Sequence, residues 1–328
     1  MPAYESMPEL TRPPRPGDAQ RVRLRKMLDG FILGASTGGA LLMIALLALL
    51  AAALLGGAQP AMAKFGLRFI FSSSEGEDGA PNGAWPMIVG TGMSAGLAML
   101  IAIPVSIGSA VFLVRLAPRW IAAPASFLIE LLAAIPSITY GLWGATVMGP
   151  IFDDYIFIFL AKLHWYQQGV DLAHRPIYFP GHLFKTGEPG QSVVLAAVIL
   201  AVMVVPIITA VTRDVLLSVP RDLEQSAYGL GATWWQATRV VLGFAKGGIF
   251  GAVILGLARA IGETMAVTMV VAGNWNTMTT VIAVKYEAAR GMKLSDLTYI
   301  ALILMTLTIL MNSVARMLIV RSTRRLKR

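Results

Sequence analysis

Long apolar runs alternate with short polar stretches along almost the whole chain. They fall at roughly 28–57, 86–115, 120–150, 191–212, 247–273 and 298–320. A bilayer core takes about 20 helical residues to cross, so each run is long enough to span. A spanning segment must satisfy its own backbone hydrogen bonds, which makes these runs helices. The pattern predicts an all-α, polytopic membrane protein with about six transmembrane helices over residues 28–320. Residues 1–27 are polar, basic and proline-bearing, and predict a disordered tail. Residues 321–328 form a short basic end. The first run has a basic flank and an Ala61-Met62-Ala63 stretch like a cleavage site. Its apolar part is about twice a usual signal segment, which favours a retained span.

The polar connections set the orientation. Arg21, Arg23, Arg25 and Lys26 precede the first run, Arg115 and Arg119 follow the second, Arg213, Arg221, Arg239 and Lys246 follow the fourth, and Arg321, Arg324 and Arg325 follow the sixth. These connections alternate with ones poorer in Lys and Arg. By the positive-inside bias, both termini and the 213–246 connection are predicted on the cytoplasmic side, with external loops at 58–85 and 151–190.

Composition agrees. Of 328 residues, 56% are hydrophobic and 14% charged, against about 25% charged in soluble domains. The net charge of +9 gathers at the ends of apolar runs, which points to membrane lipid rather than nucleic acid as the partner. The chain has no cysteine, so disulfides and thiolate chemistry are excluded. His164, His174 and His182 lack metal-ligand spacing, and no Gly-x-x-x-x-Gly-Lys-Ser/Thr loop occurs. The sequence therefore calls for no metal and no cofactor, and this chain is not expected to be its own ATPase of that type.

The 213–246 connection holds the most informative motif. A helix is expected after Pro220, with Asp222 and Glu224 near its positive end. Ala227, Leu230 and Trp234 share one face by three-and-four spacing. Gly231 is expected to interrupt it, and a second short helix to carry Trp234 and Trp235. Read by periodicity alone, the pair could rest on the membrane surface. The segment Gln225-Ser226-Ala227-Tyr228-Gly229-Leu230-Gly231-Ala232-Thr233, followed by Val240-Val241-Leu242-Gly243, resembles the coupling loop of ABC importer permeases. Gln225 stands where that motif has Glu, with Glu224 adjacent, and Gly243 replaces its usual Pro. Three further stretches are similar to the phosphate importer permeases: Ile103-Pro104-Val105-Ser106-Ile107-Gly108, Ala134-Ile135-Pro136-Ser137-Ile138-Thr139-Tyr140-Gly141-Leu142-Trp143-Gly144, and Ala258-Arg259-Ala260-Ile261-Gly262-Glu263-Thr264-Met265-Ala266-Val267. The last two look like the PstC-type subunit rather than its PstA-type partner. The resemblance covers roughly 30–320. It implies a PstA-like second permease subunit, PstB-like ATPase subunits docked on the loop through Glu224, Gln225, Ala227, Gly231 and Trp234, and an external PstS-like phosphate-binding protein.

Charged residues within the apolar runs complete the picture. If the fifth helix begins near Gly248, Arg259 lies about 16 Å along it, near the middle of a core about 30 Å thick. Glu263 is expected one turn on, on the same face, and Glu130 at similar depth in the third helix. Such charges are costly in lipid and need compensation. Two readings stand. Arg259 can line a polar path and grip phosphate with its planar fork, with Glu263 holding it and keeping the substrate bound weakly enough to leave. Alternatively, Arg259 and Glu263, joined by Glu130, lock helices together. Pro136 breaks the third run, and Ser137, Thr139 and Tyr140 are candidate lining groups beside the break; a simple kink is the other reading. Gly92, Gly96, Gly108, Gly251 and Gly256 are expected to permit close helix packing. The rival functions are import of another oxyanion such as sulfate or molybdate, a proton-coupled secondary transporter relaying through Glu130 or Glu263, and a membrane regulator.

Overall fold

The computed structural model describes residues 18–72, 83–152, 192–271 and 277–326. Residues 1–17 of the expected tail, residues 73–82 of the expected external loop 58–85 and nearly all of the expected loop 151–190 lie outside them. The chain forms two compact units, Met1–Gly56 and Gly57–Arg328. Helix α1, Asp18–Phe65, carries the first unit in its N-terminal part. Its residues 29–50 are exposed throughout although they are apolar, as suits a helix whose solvent is lipid.

The second unit continues through α2 (Arg68–Phe71), α3 (Trp85–Val111), α4 (Arg119–Ala134), α5 (Ser137–Trp143) and α6 (Gly149–Ile151). It then runs through α7 (Val193–Leu217), α8 (Arg221–Gly229), α9 (Trp234–Ile261), α10 (Met265–Val270), α11 (Met278–Lys285) and α12 (Met292–Leu326). A wider π-helical turn, Phe112–Leu116, extends α3, and another, Gly144–Met148, joins α5 to α6. Five helices among the described residues are long and apolar enough to cross a membrane: Asp29–Phe65, Trp85–Leu116, Val193–Leu217, Trp234–Ile261 and Met292–Ser313. A sixth span is reached if α4 and the segment Ser137–Ile151 count together, and these meet at 91°.

That bend falls at the break expected at Pro136 within the third run, 120–150, and is far sharper than a simple kink. Proline fixes its own φ, lacks an N–H and drives the preceding residue out of the helical region. Accordingly Ile135 has ψ 132° and Pro136 ψ 138°. Pro136 cannot donate to the Leu132 carbonyl four residues back. That carbonyl instead accepts the Ile135 N–H at 3.3 Å and the Tyr140 hydroxyl at 2.9 Å.

The core forms around α7, which buries residues on most of its circumference between α3 and α9. At Gly256 of α9 an added Cβ would lie 2.6 Å from Ile208 and 2.7 Å from Val204 of α7, so only glycine permits this approach. Helices α3 and α7 each contain a proline, Pro104 and Pro206, and hydroxyl hydrogen bonds join the two helices there. Ser106, two residues past Pro104, donates to the Val205 carbonyl at 3.3 Å, just before Pro206. Gly92, Gly96 and Gly108 do not pack closely as expected; the space around each is open within this chain. They lie with Leu100 and Phe112 along an exposed stripe of α3 at four-residue intervals. A second apolar cluster joins Ala58 and Ala61 of α1 to Phe69, Met87, Met278 and Ile300. A third, of Ala110, Leu216, Val241 and Ala245, closes the end of the fold from which α8 projects.

Candidate translocation site and coupling segment

Arg259 sits in the last turn of α9, a helix of 28 residues that begins at Trp234. The expected start near Gly248 is corrected, and with it the separate second short helix: Trp234 and Trp235 open the spanning helix itself. A capping pair explains this start, since the Gln236 side-chain oxygen accepts the Thr233 N–H at 2.7 Å. A cation in the final turn is favoured by the helix's partial negative end.

Glu263 does not continue the helix, as the expected same-face spacing required. The helix stops at Ile261, and Gly262, Glu263 and Thr264 form a break before α10. The Arg259 guanidinium and Glu263 carboxylate are still 3.7 Å apart. This is an ion pair without hydrogen-bond length. The two partners differ sharply: the Glu263 side chain is 4% exposed and the Arg259 side chain 46%. One Glu263 oxygen accepts the Ala266 N–H at 3.3 Å, placing negative charge at the start of α10. The carboxylate is thus anchored inward while the guanidinium keeps donors turned outward.

Sequence reasoning missed what holds the break. Thr279 donates its hydroxyl to the Glu263 carbonyl at 2.9 Å. Thr277 lies 3.0 Å from Thr279 and 2.8 Å from Thr280 through their hydroxyls. Thr91 of α3 accepts the Met278 N–H at 3.0 Å. The run Thr277-Met278-Thr279-Thr280 lay between two apolar runs, and its density of hydroxyls was the available signal.

The remaining expected pathway residues divide. Helix α5 packs against α10 so closely that a Cβ on Gly141 would come within 2.7 Å of the Ala266 Cα. Ser137, Thr139 and Tyr140 therefore lie on the helix beside α10, which begins two residues after Glu263. Thr139 is exposed and Ser137 half-buried. Tyr140 is buried, and its hydroxyl is committed to the bend, so it braces the site from behind. Glu130 does not join Arg259. Its side chain is 56% exposed, and it pairs with Arg213 of α7 at 3.2 Å, while Arg213 also pairs with Asp214 at 3.1 Å.

In the coupling segment, α8 ends as the sequence suggested and for an identifiable reason. Gly231 has φ +82°, the left-handed region that favours glycine. The Ala232 N–H bonds the Ala227 carbonyl at 3.0 Å, and the Gly231 N–H bonds the Tyr228 carbonyl at 2.9 Å. This bond pair closes helices that end in a left-handed residue. The expected shared face of Ala227, Leu230 and Trp234 is corrected: the turn at Gly231 breaks the periodicity, so Ala227 is buried and Leu230 is 90% exposed. Gln225 is exposed, and Glu224 turns inward to an ion pair with Arg115.

Residues 102–328 match the family of binding-protein-dependent transport system inner membrane components. The phosphate transport system permease protein PstC of Pasteurella multocida is 38% identical over 293 residues, which is 86% of this chain and 88% of that one. The protein of that name from Mesorhizobium japonicum is 36% identical over 313 residues, 92% of each chain. A solved chain of the MetNI methionine ABC transporter in an inward facing conformation is 18% identical, with a TM-score of 0.49 over 73% of this chain and 94% of that one. The chain is a multi-span membrane subunit that belongs to the binding-protein-dependent transport system inner membrane component family, and within it to the permeases named PstC.

Proposed function

We propose that this chain forms part of the path by which inorganic phosphate is imported at the expense of ATP hydrolysed on a separate subunit. The observation that carries the substrate is the Arg259–Glu263 pair. A guanidinium that is half-exposed beside a 4% exposed carboxylate can offer paired donors to phosphate oxygens. The fixed carboxylate limits how tightly a divalent anion is held, so that it can leave. The phosphate transport permeases at 36–38% identity support the same substrate over sulfate or molybdate. A proton relay through Glu130 fits less well, because Glu130 is paired with Arg213 and exposed.

The coupling partner follows from the α8–α9 corner. Leu230 is 90% exposed, Trp235 68% and Tyr228 41%, an apolar patch on a projecting helix. It suits an ATPase surface, and a PstA-like permease and a PstS-like binding protein complete the assembly in this reading. Isolating the chain under mild detergent tests it: an ATPase subunit is expected to co-purify, and its consistent absence would overturn the docking assignment. The orientation proposed is both termini cytoplasmic. Reporter fusions at residues 75, 170 and 235 are expected to read outside, outside and inside; any other order rejects it.

A further inference from the structure

Arg115 stands in the π-helical turn Phe112–Leu116 that ends α3. Its side chain is 10% exposed, and one terminal nitrogen is ion-paired with the Glu224 carboxylate of α8, itself 28% exposed. The Nε and the other terminal nitrogen of Arg115 are buried with no hydrogen-bond partner among the described residues. Glu224 is therefore the ion-pair partner on which this buried charge depends, and a buried charge stripped of its partner is costly. Besides its packing on α9, little clamps α8 in place. Ala227 is its one buried residue. A cavity of about 140 Å³, bordered by Arg115, Leu217, Val219, Pro220, Glu224 and Val241, lies beside the pair. Apolar packing therefore leaves α8 room to swing about Pro220, and the ion pair bridges the gap.

We infer that Arg115 is a positioning residue that ties the coupling helix α8 to the end of α3 through Glu224. Movement of α8 is then passed directly to α3, which packs along α7 and carries it into the core, as well as to α9 through the chain. Of the two adjacent polar residues of the coupling motif, Glu224 faces inward to make this tie, and Gln225 is the one presented to the ATPase. The inference rests on the reading of α8 as the ATPase-docking helix. Arg115 itself carries no part of the substrate path.

A purely structural brace and a coupling tie differ in what they do to the ratio of phosphate transported to ATP hydrolysed. The measurement is that ratio in the complete transporter, reconstituted with its ATPase and binding protein, for Arg115→Met, Glu224→Gln and the exchanged pair Arg115→Glu with Glu224→Arg. Each single variant is expected to keep its ATPase bound and hydrolysing, and to lower the ratio by about fivefold or more, the low end of coupling between sites. The exchanged pair is expected to recover most of that loss. Single variants that retain the wild-type ratio, or an assembled exchanged pair no better than either, overturn the tie. If Arg115→Met or the exchanged pair fails to insert, Glu224→Gln decides, because it alters a partly exposed carboxylate by one atom: an unchanged ratio rejects the inference. Loss of the ATPase from the wild-type complex would instead mark failure of the docking reading.

Discussion

Replacing Arg259 and Glu263 together by glutamine is expected to leave the protein inserted and assembled while phosphate uptake falls about tenfold or more; a loss of about 1.4 kcal/mol in the barrier-limiting step is enough for that. The substitutions are matched to the geometry. Glutamine at 263 keeps an oxygen able to accept the Ala266 N–H, a bond now 3.3 Å long, so the start of α10 stays capped. Removing both charges avoids a buried carboxylate without its cation. If the pair serves only to join α9 to the break, the neutral pair satisfies that need and uptake persists. If Arg259 meets the substrate, no cation remains to face it. Arg259→Lys divides the readings again, since it keeps charge but loses the planar fork; a marked loss of uptake is expected. Near-normal uptake by the double variant, normalised to inserted protein, would leave the pair a structural lock.

Gly231→Glu is expected to abolish most transport without preventing insertion. An added Cβ meets nothing within 4 Å, so the cost does not come from a clash. It comes from holding a substituted residue at φ +82°, about 1–2 kcal/mol, and from a carboxylate placed at the corner between Leu230 and Trp235. Asparagine tolerates left-handed backbone better and adds no charge. Gly231→Asn is therefore expected to keep much of the activity that Gly231→Glu loses. Uptake unaffected by Glu would mean that this corner is not a docking surface.

The apolar runs revealed the spans because lipid forces helix and length together, leaving little to tertiary context. The Pro136 break was legible for a related reason, since proline's missing N–H acts locally. Its angle was not, because 91° depends on how Tyr140 and Leu132 meet across the bend and how α5 lies on α10. The start of α9 could have been read from Thr233 and Gln236, a capping pair three residues apart, but the apolar pattern begins only later and drew the helix start toward Gly248. Glu263 shows the opposite difficulty. Helical spacing placed it one turn from Arg259, and the two do pair at 3.7 Å, yet the helix ends between them. Chain bending after Gly262 and the Thr279 hydroxyl, 16 residues away in sequence, restore the proximity. The Arg115–Glu224 and Glu130–Arg213 pairs join residues far apart in the chain, which no local pattern encodes. Gly92, Gly96 and Gly108 suggested close packing, yet a Cβ at any of them would meet nothing within 4 Å in this chain.

The central claim is that this chain moves phosphate inward when ATP is hydrolysed on a partner. Its most direct test is uptake of radiolabelled phosphate into proteoliposomes holding the chain with its permease, ATPase and binding-protein partners, with ATP supplied at the ATPase side. The account predicts accumulation that requires ATP, is unaffected by collapsing the proton gradient, resists excess sulfate or molybdate, and fails in the Arg259→Gln, Glu263→Gln variant. Uptake driven by a proton gradient without ATP, or equal uptake of the competing oxyanions, would contradict it.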